Sequence, residues 1–170
     1  MNTIINELKE NFRRGNIAIQ LIYINVGVFI VSTLATVILQ LFNIDISAFF
    51  HWFELPTWPQ RFLIQPWSIL TYMFLHNGVW HILFNMLWLY WFGTLFLQTY
   101  SAKHLRGLYL LGGICGGLLY MLSFNLFPYF EPYRYASFMS GASASVLAIV
   151  AATAYRQPNY PIRLLLLGTI

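Results

Sequence analysis

Charge is scarce in this chain: 8% of its 170 residues are Asp, Glu, Lys or Arg, where a soluble domain carries about 25%. Water is therefore not its main solvent. Cysteine is rarer still, a lone Cys115 inside an apolar segment, which excludes a disulfide framework. The one aspartate is Asp45, so a pair of membrane-embedded aspartates sharing a proton is excluded. No HExxH occurs; His76 and His81 are five residues apart, on different faces of a helix and without an acidic neighbour, so zinc-hydrolase chemistry falls as well. Basic residues do not cluster among exposed aromatics, and the nine Lys and Arg behind the net charge of +4 are scattered, which argues against a nucleic-acid partner. No metal and no cofactor is called for.

What fills the chain instead is 59% hydrophobic and 19% aromatic residues. A membrane helix needs roughly 20 residues to cross about 30 Å of hydrocarbon, and four runs qualify: Ile17 to Phe42, about Gly78 to Tyr100, Leu105 to Phe127, and Phe138 to Tyr155. A fifth has just begun at Ile162 when the sequence reaches Ile170. The expectation is an all-α membrane protein, a polytopic helical bundle of four complete spans plus the start of a fifth. Residues 1–16, a mixed-charge amphipathic stretch, form a cytoplasmic amino-terminal segment, and residues 17–170 form one membrane domain set in the lipid bilayer. The first run is too long for a signal-peptide core and is expected to be retained as a span.

Lys and Arg fall between the runs or at their ends in the order 3, 1, 2, 1, 2. Cytoplasmic loops retain such residues, so the amino terminus is placed in the cytoplasm. Without a cleaved signal, the default setting is a bacterial inner (plasma) membrane. The loop from Asn43 to Pro66, with Trp52 and Trp58 and several prolines, is expected to lie in the outer membrane interface. In the third run, Gly112 and Gly116, and Gly113 and Gly117, recur at four-residue spacing, a face that admits a neighbouring helix closely. The fourth run is similarly poor in bulk from Gly141 to Ala148 and is expected at the centre of the bundle.

Polar groups at membrane depth are costly and therefore informative. No Asp or Glu falls within the four runs, which weighs against a proton-coupled transporter or a charge-selective channel. His81 and Asn85 are four residues apart, so on a helix they share one face. Counted from an outer entrance near Asn77 they lie about 6 and 12 Å deep, and Ser143, five residues past Phe138, about 8 Å deep, at 1.5 Å per residue. A hydroxyl beside two hydrogen-bond donors is what acyl transfer uses: the serine attacks a carbonyl carbon and the donors hold the oxyanion. A membrane-helix serine also serves as helix glue, and a His–Asn pair as an interhelical hydrogen bond. The residues by themselves leave both readings open.

HNGVWHILFN, from His76 to Asn85, resembles the His-x4-His-x3-Asn pattern of the rhomboid intramembrane proteases, and SGASAS around Ser143 resembles their Gly-x-Ser-Gly serine motif. The resemblance implies an intramembrane serine endopeptidase that cleaves transmembrane helices near the outer membrane face. Ser143 would be the nucleophile, His81 and Asn85 would join the Ser143 amide in stabilising the oxyanion, and His76, Trp67 and Gly141 would be structural. The partner would be a transmembrane-helix substrate protein. Three positions depart from the family pattern: Ser68 follows Trp67 where an arginine is common, Ala144 replaces the glycine after the nucleophile, and Leu147 stands where an aromatic is frequent. The family's general base, a histidine on a sixth span, has no counterpart in the 170 residues. The alternative function is a non-catalytic rhomboid-like membrane protein that binds helical clients.

Overall fold

The computed structural model describes residues 2–158, 163–164 and 168–169. Its first helix, α1 (Asn2–Arg14), stops at Gly15, and Asn16 starts the next by accepting the Ile19 N–H on its side-chain oxygen at 3.0 Å. The uncharged run that follows has nothing to interrupt it and forms one helix, α2 (Ile17–Leu41). Then comes a stapled loop made of α3 (Ser47–Phe50), the strand β1 (Leu55–Pro56), α4 (Pro59–Ile64), α5 (Ser68–Thr71) and a 3-10 turn at Tyr72–Phe74. It leads into α6 (Val79–Phe96), a connection of residues 97–101, and α7 (Ala102–Leu126). A 3-10 segment (Pro128–Tyr133) and the strand β2 (Phe138–Met139) precede α8 (Ser143–Arg156). Two short strands, β3 (Arg163–Leu164) and β4 (Gly168–Thr169), pair with each other.

Among the described residues three helices, α2, α6 and α7, are long and apolar enough to cross a membrane. The fourth run differs from expectation. Its helix has 14 residues, about 21 Å at 1.5 Å per residue, because Phe138–Met139 is extended and pairs antiparallel with Leu55–Pro56. Gly141 then turns at φ +114°, a conformation that L side chains rarely adopt, and the helix begins at Ser143 itself. The serine thus heads a helix instead of lying five residues inside one. As for the fifth run, residues 162, 165–167 and 170 lie outside the described residues.

The two glycine pairs of α7 receive different neighbours. A Cβ on Gly112 or Gly116 would stand 2.4 Å from the Cβ of Ala148 or Ala144, so this stripe is where α8 lies against α7. A Cβ on Gly113 would meet Met73 and the Ser145 hydroxyl, and one on Gly117 would meet Leu55 at 2.7 Å. The second stripe therefore seats the loop and, at Gly113, the Ser145 side chain of α8 as well. The same loop is tied down by buried polar groups: the Gln65 amide donates to the carbonyls of His51 (2.9 Å) and Glu54 (3.0 Å), and Thr71 donates to Phe53 O at 2.7 Å. Asn125 of α7 donates to Thr57 O at 2.7 Å, and Thr57 donates to the carbonyls of Arg134 and Ser137. Each such bond contributes about 1 kcal/mol net, and leaving a buried partner orphaned costs more.

Deeper in the bundle, Asn25 of α2 donates to the Tyr109 hydroxyl (3.2 Å), which donates to Met73 O (3.3 Å). The Tyr72 hydroxyl donates to Gly113 O at 2.6 Å. These links fix the 3-10 turn against α7. The outer faces are apolar and bare: Val31, Leu34, Ile38 and Leu41 on α2, and Leu111, Leu118 and Leu122 on α7, are all exposed, as lipid-facing side chains are.

Candidate active site

The extended entry to α8 determines what surrounds Ser143. Gly141 donates its N–H to Tyr72 O at 2.9 Å, and a Cβ at Gly141 would stand 2.6 Å from both Cε1 and Nε2 of His81. Only a bare backbone lets the imidazole come so close. The next residue, Ala142, donates its N–H to His76 Nε2 at 3.3 Å. Since Nε2 accepts, the proton of the neutral His76 ring sits on Nδ1. Burial, together with the neighbouring His81, pushes the His76 imidazole down to about 4 from 6.5, which keeps it in the neutral form that this contact requires. The His76 and His81 rings meet edge to face with centroids 5.2 Å apart.

His81 and Asn85 project from the same face of α6, and Asn85 donates one amide hydrogen to His81 O at 2.9 Å. The second Asn85 hydrogen is available, since the amide group carries two. Ser143 is half-buried at the first position of α8. An N–H at that position is among the four that no helical carbonyl can satisfy, and it stands at the positive end of the helix dipole.

Ser143, His81 and Asn85 line one groove of about 410 Å³ between α6 and α8. Trp80, Phe84 and Trp88 form its apolar wall along α6, one turn apart, with Val146 and Leu147 opposite on α8. The arrangement offers a hydroxyl, an unpaired backbone N–H, an amide donor and an imidazole to one greasy cleft. Chemically it can hold a carbonyl oxygen next to a serine. Among the described residues no hydrogen bond joins His81 to Ser143, and no other imidazole lines the groove. Nor are three His, Cys, Asp or Glu side chains grouped there to hold a metal ion among the described residues.

Trp67 lies outside the groove. Trp67 donates its indole N–H to Trp52 O at 2.8 Å and stacks on the Trp52 ring. Arg61 stands over the Trp52 ring at 4.5 Å from its centroid, so a cation anchors the loop although Ser68 follows Trp67. Leu147 is exposed on the groove rim. Sequence reasoning missed Tyr72, whose carbonyl holds Gly141 while its hydroxyl holds Gly113. Nothing distinguishes it in sequence from the other tyrosines of an aromatic-rich chain. Gln65 was missed too, though a buried amide between apolar loop residues is the kind of signal that marks a staple.

A family model for the Rhomboid domain matches residues 64–169. Among curated proteins, the chain is similar to "RHOMBOID-like protein 12, mitochondrial" of Arabidopsis thaliana, 29% identical over 117 residues that cover 59% of this chain and 35% of that protein. It is also similar to "RHOMBOID-like protein 7" of the same plant, 38% identical over 55 residues, 32% of this chain and 18% of that protein. The matches thus cover about a third or less of these relatives' length. No solved structure matches.

Proposed function

The chain belongs to the rhomboid family, and on that footing we propose that Ser143 is the nucleophile of an intramembrane serine endopeptidase that cleaves transmembrane helices near the outer membrane face. The observation that carries this reading is the convergence of Ser143, His81 and Asn85 on one groove, with Gly141 bare against the His81 ring. The Ser143 hydroxyl attacks the scissile carbonyl carbon. The oxygen that becomes negative is held by the Ser143 N–H, the His81 imidazole and the second Asn85 hydrogen. The tryptophans of α6 support a lipid-side entrance for an apolar helix. A substrate helix must unwind before its peptide bond enters the groove, because paired backbone hides it.

The hydroxyl needs a base. Under this proposal His81 serves the oxyanion, and the base is a histidine on a later span of the complete protein, as in the family pattern. Within the same reading α8 is a fourth, sunken span. The excess of Lys and Arg at the amino-terminal side supports a cytoplasmic amino terminus.

The test is fluorophosphonate labelling of the full-length gene product in membranes. Labelling is expected, and Ser143→Ala should abolish it; a variant that labels as strongly as its parent would remove Ser143 from the role. That no imidazole stands free to act as a base for Ser143 among the described residues of the groove favours one second reading, a rhomboid-like protein that binds helical clients without cleaving them. A parent that never labels, yet retains a transmembrane helix when purified, would establish that reading instead.

A further inference from the structure

The amino-terminal helix has an apolar face that protein leaves largely uncovered. Ile5, Leu8 and Phe12, at spacings of three and four, are 57%, 49% and 37% exposed. At about 100° per residue they form one stripe. Lys9 and Arg13 fall on one flank of that stripe, while Glu7, Glu10 and Arg14 fall on the opposite side, where Glu10 and Arg14 pair at 3.2 Å. Basic side chains bordering an apolar stripe, with carboxylates turned away from it, complement the phosphate layer of a bilayer.

Where α1 sits is fixed by its joint with the first span. The Gln20 amide donates to Phe12 O and Gly15 O, each at 3.2 Å. The Phe12 ring meets the Tyr23 ring edge to face at 6.2 Å. Tyr23 is six residues into α2, about 9 Å along its axis, so α1 does not continue α2 outward into water. Its last turn folds back beside the opening turns of a membrane-spanning helix. That level is the headgroup and upper acyl region, where interfacial helices bury about 5–10 Å.

We propose that α1 lies in the plane of the membrane surface, with Ile5, Leu8 and Phe12 in the acyl region and Lys9 and Arg13 reaching the lipid phosphates. The occupant of the bare face is the bilayer on which the chain already depends. This assignment is independent of any catalytic role for Ser143.

The experiment places a single cysteine in the full chain, in a Cys115→Ala background, at Leu8, Phe12, Glu7 or Glu10, and labels it with an environment-sensitive nitrobenzoxadiazole dye. The protein is reconstituted in phosphatidylcholine–phosphatidylglycerol vesicles. Leu8→Cys and Phe12→Cys labels should emit blue-shifted and be quenched several-fold more by nitroxide-bearing lipid than by iodide, and Glu7→Cys and Glu10→Cys labels should show the reverse. Equal iodide quenching at all four positions would overturn the proposal in favour of a water-borne helix. Protection of the Leu8→Cys label from both quenchers would overturn it in favour of a protein partner or a second copy.

Discussion

At Gly141 one hydrogen stands where every other residue would place a carbon against the His81 ring. Gly141→Ala should therefore injure the site twice, by forcing an L residue to φ +114°, about 1–2 kcal/mol of strain, and by pushing the imidazole away. Fluorophosphonate labelling is expected to fall at least tenfold with only a modest drop in melting temperature. His76 contributes to the pH response. Its native imidazole titrates near 4 and its unfolded one near 6.5, so between those values the unfolded chain takes up a proton that the native chain refuses. Stability should then decline as pH falls from 6.5 to 4 and show no further loss from this group below that. Thermal melts in detergent across this range should show the decline in the parent and a smaller one in His76→Gln. The sequence made the trio of Ser143, His81 and Asn85 legible through residue type and spacing. It did not reveal that Ala142 is held by His76 or Gly141 by Tyr72, because the donor of each bond is a backbone N–H, and backbone carries no letter.

The long helices were legible because each is an uninterrupted apolar run, and α2 and α7 begin and end within a few residues of the expected limits. The start of α8 was not. Hydropathy treats Phe138 and Met139 as membrane residues, which by composition they are, but it cannot report that Pro56 and Leu55, far earlier in chain order, pair with them. Between α7 and α8 the glycine stripe gives a sharp contrast. Gly116→Leu should clash with Ala144, whereas Gly107→Ala, with nothing within 4 Å of its added carbon, should be neutral or stabilising by up to about 1 kcal/mol. Overpacking of this kind costs about 1–3 kcal/mol. Melting temperatures of the two variants, measured side by side, check the expectation.

For the molecule as a whole, the apolar exterior demands lipid on most sides. Cys115 reports on this, because it is exposed near the middle of α7. In intact vesicles a charged, water-soluble maleimide should leave it unmodified, and the same reagent should modify it fully after sodium dodecyl sulfate is added; rapid labelling before detergent would show that this face of α7 meets water. That the fold is a membrane bundle follows from composition alone. The path of its loop does not, since side-chain staples such as Gln65 and Thr57 act between segments that no periodicity connects.

The twinned stripes of α7 carry one more consequence. Gly112 and Gly116 set how near α8 comes, Gly117 sets how near the loop comes, and Gly113 faces both. The span from the loop's strand to the serine is therefore gauged by the width of a bare helix, which has no rotamers to rearrange. Heat, lipid exchange or a change of bilayer thickness can tilt the assembly, yet both neighbours stay referenced to the same rod and keep their mutual spacing.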